Sequence, residues 1–141
     1  MNTIQIQEAS ADDRECISKG LMEFNRSQVP FDRDPPSAPL NRCIKVGGEV
    51  VGGVLATVSG WSTLHIGVVW VSEQHRGQGY ASALVSAVER EARAMGCKLS
   101  QLDTFDFQAR GLYEKLGYTV FGTLEDCPEG QCHYYMSKKL V

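Results

Sequence analysis

The chain contains a short, glycine-broken turn between an apolar run and a long amphipathic pattern. Glycines at positions 77 and 79 allow the backbone to approach a bulky anion closely. The first N–H groups of a helix that opens here would point at that anion, with the positive end of the helix dipole behind them. The turn therefore predicts a phosphate cradle, and a simple tight strand-to-helix connection is the alternative. Its residues are Arg76, Gly77, Gln78, Gly79, Tyr80, Ala81 and Ser82.

Two common phosphate-binding patterns do not match this turn. A P-loop needs a lysine followed by serine or threonine after its second glycine, whereas Gly79 is followed by Tyr80 and Ala81. A dinucleotide fingerprint needs a third small residue, glycine or alanine, at the position that Ser82 occupies. The preceding strand also resembles the third strand of a meander rather than the start of a βαβ unit. Both nucleotide folds are disfavoured.

Hydrophobic periodicity predicts the elements that must position the turn. Ser10 and Asp13 have capping-box spacing, which indicates a helix start. Four of the five prolines lie in residues 30–39, which predicts a surface loop, and two glycines at 47 and 48 predict a tight hairpin. The alternation of elements indicates an α/β fold around one mixed sheet. Strands are predicted at residues 3–7, 42–46, 50–59, 63–71, 98–104, 118–124 and 133–140. Helices are predicted at residues 10–25 and 107–116, and a third helix begins at residue 77 and is stopped by Gly96.

The turn and a later segment resemble the GNAT superfamily of acetyl-CoA-dependent N-acetyltransferases. Arg76, Gly79 and Ala81 match the main family motif, which is Arg or Gln, two residues, Gly, one residue, then Gly or Ala. The segment ARGLYEKLGY at residues 109–118, the VVWV strand and the element order resemble the family as well. The resemblance implies one N-acetyltransferase domain over residues 1–141. Its mixed sheet would combine an antiparallel meander with a parallel strand pair that splays at the cofactor site, flanked by helices.

The same resemblance implies acetyl-CoA as cosubstrate, with its pyrophosphate on the turn. Unpaired peptide groups of the splayed strand would bind the pantetheine arm as a pseudo-strand, and one N–H would stabilise the oxyanion. Arg76 either adds positive charge or only braces the loop. The predicted cofactor-binding residues are Val69, Trp70, Val71, Arg76, Gly77, Gln78, Gly79, Tyr80, Ala81 and Ser82.

Two catalytic groups are implied by the resemblance. Tyr113 matches a tyrosine near the CoA sulfur, where a phenol can protonate the departing thiolate. His65 takes the place of a glutamate base in histone-acetylating members, and imidazole is chemically suitable as a base. A water chain without a single base is the alternative, and local packing is the alternative role for both side chains. The family often has asparagine seven residues before the tyrosine; Asp106 stands there instead, which leaves that CoA contact open.

The resemblance implies an acceptor site between the first helix, the proline-rich loop and the last hairpin, because these segments flank the splay in the family's fold. Carboxylates and aromatic rings in these segments would attract a cationic amine by charge and by cation–π contact, and solvated loop residues are the alternative. These residues are Glu23, Phe24, Asn25, Phe31, Asp32, Asp34, Glu125, Asp126, Glu129, His133, Tyr134 and Tyr135.

Composition restricts the partners. The 141 residues, 43% of them hydrophobic, can form one core, and the net charge of −3 argues against nucleic acid. Neither a signal-peptide pattern nor a run of about 20 apolar residues is present, so a cytoplasmic protein without a membrane partner is expected. Five cysteines without paired spacing argue against disulfides. Cys127, Cys132 and His133 lack a fourth zinc ligand, so no metal is predicted.

The resemblance, taken with these observations, implies direct acetyl transfer from acetyl-CoA to a primary amine on a small molecule, such as a polyamine, an amino acid or an aminoglycoside-like compound. A covalent enzyme intermediate is disfavoured because no cysteine lies where the motif positions the thioester. A protein N-terminus or lysine is the alternative acceptor, and a CoA-binding sensor or interaction module is the alternative without turnover. Because the family often dimerises, a homodimer is one open oligomeric state.

Overall fold

The computed structural model of the chain describes residues 3–141. Residues through Phe31 form one compact unit, and Asp32–Val141 form a second. The single domain over residues 1–141 stays a prediction. Within residues 3–141, no helix combines the length and apolarity needed to cross a membrane.

The first unit contains helix α1, Ala11–Gln28. The predicted capping box is present: the Asp13 N–H donates to the Ser10 hydroxyl (3.1 Å) and the Ser10 N–H donates to the Asp13 carboxylate (2.9 Å). These two hydrogen bonds lower the pKa of Asp13, the one from the Ser10 backbone most. The helix continues three residues beyond its predicted end.

The predicted strand at residues 3–7 is wrong, because this segment has no regular secondary structure. Its alternating side chains, Ile4 and Ile6, are 89% and 98% exposed. Alternation describes the two faces of a strand, but a strand also requires a neighbour for its peptide groups, and this segment joins no strand of the sheet.

The second unit is built on a six-stranded sheet of order β1-β2-β3-β4-β6-β5. The β3–β4 pair is parallel and every other neighbouring pair is antiparallel. This confirms the predicted mixed sheet, with its meander and its one parallel pair. The strands are β1 (Ser37–Val46), β2 (Glu49–Ser59), β3 (Thr63–Val71), β4 (Leu99–Phe105), β5 (Thr119–Glu125) and β6 (Cys132–Lys139).

Strand β1 begins inside the predicted proline-rich loop. Pro39 lies opposite Thr57 of β2 in the antiparallel ladder. β1 is the edge strand, so the backbone nitrogen of Pro39, which carries no hydrogen, can face away from β2. The ladder then loses no hydrogen bond. The loop is therefore shorter than the prolines predicted.

Two helices cover one face of the sheet: α2 (Tyr80–Ala94) and α3 (Arg110–Lys115). Helix α2 begins three residues after its predicted start, because Gly77 and Gly79 adopt positive φ angles of 75° and 80°. Helix α3 is shorter than predicted at its start, because residues 106–109 form a turn that the Gln108 side chain closes. Its Oε1 accepts from the Phe105 N–H (2.9 Å).

The core lies between these helices and the sheet, and it encloses a polar cluster. The Tyr118 hydroxyl donates to the Glu89 carboxylate (2.8 Å) and lies 2.7 Å from the Ser100 hydroxyl. The Lys138 ammonium donates to both oxygens of Glu89, at 2.9 and 3.1 Å. A buried carboxylate is tolerated only when such partners replace its lost hydration. Burial is the main cause that raises the pKa of Tyr118, so the hydroxyl remains a donor.

Removal of the Tyr118 hydroxyl should destabilise the fold. We expect Tyr118→Phe to lower the free energy of unfolding by about 1–3 kcal/mol, because Glu89 loses a buried donor. Urea unfolding followed by circular dichroism measures this. Tyr135→Phe, at a residue that is 39% exposed, is the matched control and should change stability by less than about 0.5 kcal/mol. Equal losses in the two variants would contradict this role for the cluster.

Candidate active site

Strands β3 and β4 form a parallel pair over only part of their length. The register runs from Thr63 opposite Leu99 to Ile66 opposite Leu102, and it ends there. Beyond it, β3 continues to Val71 beside β2 alone, and β4 continues to Phe105 beside β6 alone. β3 and β4 are therefore paired at one end and separated at the other, which leaves a split in the sheet.

A bulge lies at the point where the two strands separate. On β2, Leu55 pairs with Val68 and the next residue, Ala56, pairs with Ile66, so Gly67 is an extra residue on β3. A bulge bends a strand and increases its local twist, which directs the rest of β3 away from β4. Peptide groups along a strand alternate between its two sides, so every second group of the remaining β3 residues faces the split.

The glycine-broken turn follows β3 and opens α2. Gly79 is the N-cap residue in a left-handed conformation, and no side chain caps the helix. The first intrahelical hydrogen bond runs from the Ala83 N–H to the Gly79 carbonyl (3.0 Å), so the N–H groups of Tyr80, Ala81 and Ser82 precede it. The first turn of α2 contains no acidic residue. These features together make the start of α2 suitable for an anion.

Two side chains brace the turn. The Arg76 guanidinium donates through Nε to the carbonyl of Val71 (3.1 Å), which ties the turn to the end of β3. His75 Nδ1 lies 2.7 Å from the Ser72 hydroxyl, and the imidazole stacks on Tyr80 with 6.3 Å between ring centroids. The bracing contact considered for Arg76 is present, and a charge contribution to anion binding stays a prediction.

The split and the turn open into one cleft of about 690 Å³. Every predicted cofactor-binding residue except Gln78 lines it, and so does Tyr113. The remaining wall comes from the middle of β3, the turn after it, the end of β4, and the segment that leads into α3. The residues not predicted from sequence are Ile66, Gly67, Val68, His75, Leu102, Asp103, Thr104, Phe107, Gln108, Ala109 and Leu112.

Tyr113 lies within α3 and is only 7% exposed. Burial raises the pKa of its phenol, and the negative charge of Asp103 raises it further. Both causes favour the protonated form. Tyr113 also packs edge-on against Tyr118, with ring centroids 6.1 Å apart, which orients its ring.

His65 and Asp106 lie outside the residues that line the cleft. His65 is an exposed β3 residue in the paired part of the strand, opposite Thr57 and Gln101. The Asp106 carboxylate accepts the Cys132 N–H (2.9 Å), and its own N–H donates to the Cys132 carbonyl (3.0 Å). Asp106 therefore joins the end of β4 to the start of β6.

The predicted acceptor residues are divided between the two compact units. Glu23, Phe24, Asn25 and Phe31 belong to the first unit, so an acceptor site between these segments stays a prediction. In the second unit, Asp32 accepts a hydrogen bond from the Ser62 hydroxyl (2.9 Å). Among residues 3–141, no three His, Cys, Asp or Glu side chains are grouped closely enough to hold a metal ion.

Of the residues that sequence reasoning missed, Asp103 is the most informative. It is a carboxylate within a strand whose neighbours Leu102 and Thr104 are buried. The carboxylate itself was visible in the sequence, but it does not stand out in the mixed polar and apolar run of Leu99–Phe105. Its position at the split was not visible, because that depends on where the β3–β4 ladder ends.

Comparison with known proteins gives consistent results. The model of the acetyltransferase (GNAT) family matches residues 5–118. An acetyltransferase of Agrobacterium fabrum is 30% identical over 141 residues, with 99% of each chain covered. Blasticidin-S acetyltransferase of Streptomyces morookaense is 38% identical over 94 residues, which cover 66% of this chain and 68% of that protein.

A solved structure shares the fold over nearly its full length. The crystal structure of an acetyltransferase from Bacillus cereus superimposes with a TM-score of 0.87 at 32% identity. The match covers 96% of this chain and 97% of that one. The mixed sheet with one parallel pair is therefore the architecture of an acetyltransferase.

The positive φ of Gly79 provides a test of the turn. A Cβ at this position would meet no atom within 4 Å, so Gly79→Ala introduces backbone strain without a clash. We expect acetyl-CoA affinity, measured by isothermal titration calorimetry, to fall about tenfold, a change of about 1.4 kcal/mol, because the methyl group and the altered backbone hinder approach to the helix N–H groups.

Gly48→Ala is the matched control for this change. Gly48, in the β1–β2 hairpin, has a φ of +85° and equally open surroundings. It should lose comparable stability and retain acetyl-CoA affinity. The same affinity in both variants would argue against the turn as an anion site.

Proposed function

Because the chain belongs to the GNAT acetyltransferase family, we propose that it transfers an acetyl group from acetyl-CoA directly to a primary amine on a small molecule. One observation carries the proposal: the split between β3 and β4, the uncapped start of α2 and the protonated phenol of Tyr113 all open into the same cleft. Each of these features serves a different part of an acetyl thioester.

The residues present fit the cosubstrate. Peptide groups of Val69, Trp70 and Val71 that lack a β4 partner suit the amide-containing pantetheine arm, which can pair with them like a strand. The N–H groups at the start of α2 suit the pyrophosphate, with the dipole of a 15-residue helix behind them. When bound, acetyl-CoA supplies an acetyl group activated as a thioester.

The side chains and backbone of the cleft have separate tasks in the transfer. A β3 N–H at the split can donate to the carbonyl oxygen, where negative charge develops. Tyr113 keeps its proton at neutral pH and can donate to the departing sulfur. No cysteine of residues 3–141 lines the cleft, so attack by the amine itself is favoured over a covalent enzyme intermediate.

A small-molecule acceptor is supported by one relative. The Streptomyces morookaense protein is named for the acetylation of blasticidin S, a small molecule. For this chain, Asp103 supplies negative charge at the cleft, which suits a cationic amine. A cytoplasmic location is part of the proposal, because exposed free thiols such as Cys16 and Cys43 fit a reducing compartment.

The proposal is tested by ligand binding followed by turnover. Acetyl-CoA and CoA should raise the melting temperature, and ATP should not. Thiol release should then occur with at least one of spermidine, L-lysine and kanamycin. Release only with a peptide carrying a free N-terminus or lysine would replace the small-molecule acceptor by a protein. Stabilisation without release from any acceptor would contradict enzymatic transfer to an amine.

Tyr113→Phe tests the proposed acid. We expect kcat to fall by about 10²-fold or more, because the departing sulfur loses its proton donor, while the Kd for acetyl-CoA changes less than twofold. Steady-state thiol release and calorimetry measure these two quantities.

Tyr118→Phe is the matched control for this substitution, since it removes the hydroxyl of a neighbouring tyrosine that does not line the cleft. The control should retain kcat per folded molecule at a temperature at which it is fully folded. If Tyr113→Phe kept full kcat, the proton would have to come from another group.

A further inference from the structure

One side chain fastens the segment between β4 and α3 to the end of the strand. Gln108 Oε1 accepts the N–H of Phe105 (2.9 Å) and the hydroxyl of Thr104 (3.2 Å). The backbone N–H of Gln108 donates in turn to the Phe105 carbonyl (3.0 Å). Phe105 and Gln108 are therefore joined twice, once through a side chain and once through the backbone. These contacts fix the position of the Gln108 amide relative to β4.

The peptide groups at the end of β4 show on which side of the strand this amide lies. The Asp106 N–H donates to the Cys132 carbonyl of β6 (3.0 Å). Because successive peptide groups point to opposite sides of an extended chain, the Phe105 N–H points away from β6. That side is the split, since the β3–β4 ladder has already ended at Leu102. The Gln108 amide therefore occupies the position that a partner strand would have taken.

The contact with Phe105 also determines how the amide is oriented. A backbone N–H can only donate, so the side-chain atom that faces it is the oxygen. A flipped amide would bring two donors together. Among residues 3–141, no group accepts a hydrogen bond from Gln108 Nε2. Gln108 is exposed and lines the cleft, so its NH₂ group is a free donor at the split.

A free NH₂ group at this position suits one part of the proposed ligands. A protonated amine has only donors, so it cannot satisfy Nε2. The pantetheine arm carries amide carbonyls, which can. An arm that pairs with β3 along one edge presents its remaining amide groups along the other edge, as a strand does. That second edge faces β4, whose Phe105 N–H is already taken by Gln108.

We propose that Gln108 is a cosubstrate-binding residue, whose Nε2 donates to an amide carbonyl of the pantetheine arm on the edge opposite β3. The inference rests on the proposed binding of acetyl-CoA in this cleft. Thr104 is a positioning residue, because its hydroxyl helps to hold the oxygen of the same amide. The arm would thus meet donors on both walls of the split, backbone N–H groups on β3 and a side-chain amide beside β4.

Asp106 is the other polar side chain of this segment, and it cannot take the same role. Its carboxylate accepts the Cys132 N–H (2.9 Å), and it does not line the cleft. An ionised carboxylate also has no hydrogen to offer a carbonyl. Gln108 therefore supplies the amide donor of this wall.

Gln108→Glu separates the proposed contact from the closure of the turn. The new carboxylate keeps an oxygen for the Phe105 N–H, but at about pH 8 it is ionised and cannot donate. We expect the Kd of the full-length chain for acetyl-CoA, measured by isothermal titration calorimetry, to rise about tenfold. The Kd for CoA should rise equally, because the two ligands share the arm.

Two controls show whether the loss belongs to the arm. Gln101→Glu makes the same change on β4 in the paired part of the strand, outside the cleft, and should leave the Kd for acetyl-CoA within twofold. The ligand 3′-phosphoadenosine 5′-diphosphate keeps the pyrophosphate but lacks the arm. Its Kd should change less than twofold in Gln108→Glu, because the pyrophosphate is assigned to the start of α2.

Gln108→Met separates a donor from a simple brace of the turn. This variant loses both the oxygen and the NH₂ group. If Gln108 only closed the turn, Gln108→Met would lose melting temperature and affinity, whereas Gln108→Glu would keep both. A donor predicts weaker binding of acetyl-CoA by both variants. If Gln108→Glu does not fold, the comparison of ligands with and without the arm in Gln108→Met decides the proposal.

Three outcomes would overturn the contact while the cleft remains the acetyl-CoA site. They are an unchanged Kd of Gln108→Glu for acetyl-CoA, an equal loss of affinity for 3′-phosphoadenosine 5′-diphosphate, and a loss for acetyl-CoA that is absent for CoA. The last result would assign the donor to the thioester instead of the arm. Failure of the unaltered chain to bind either acetyl-CoA or CoA would instead contradict the proposed function.

Discussion

The hydrogen-bond ladder between β3 and β4 ends at Ile66 and Leu102, and much of the molecule depends on that ending. A buried peptide group without a partner is costly, so two central strands separate only where something other than a strand can satisfy them. The bulge at Gly67 makes the separation sterically possible. The sheet order keeps the rest intact, because β2 supports the free half of β3 and β6 supports the free half of β4. The opening is therefore a stable feature of a well-paired sheet.

The turn after β3 adds an electrostatic feature to this opening. Gly77 and Gly79 reverse the chain with positive φ angles, and Arg76 fastens the turn to the last residue of β3. As a result, the start of α2 is fixed beside the free edge of β3. Polar groups of two kinds, strand amides and helix N–H groups, line one continuous cleft. Such an arrangement suits a long ligand that has amide groups at one end and phosphate at the other.

The two faces of the sheet differ in their chemistry. On the helix side, burial and the charge of Asp103 both favour a protonated Tyr113. On the opposite side, the exposed carboxylate of Asp103 is paired with an imidazole between aromatic rings. Asp103 thus contacts His133 on one face of the sheet, and its charge acts on Tyr113 toward the other.

The sequence by itself determined the local features, since these depend on neighbouring residues. The Ser10–Asp13 capping box, the strand at Thr63–Val71, the glycine turn and the stop of α2 before Gly96 follow from spacing and from glycine's conformational freedom. The cofactor contacts proposed at the turn could likewise be predicted from the sequence, because the family motif is contiguous.

Only the tertiary structure decided the features that depend on pairing between distant segments. Residues 3–7 alternate like a strand but have no neighbour in the sheet. Pro39 enters a strand because β1 lies at an edge. Asp103 and His133 are 30 residues apart in the chain and meet through the β4–β6 register. Register is set by how whole strands pack, so the sequence supplied the two side chains and the fold supplied their contact.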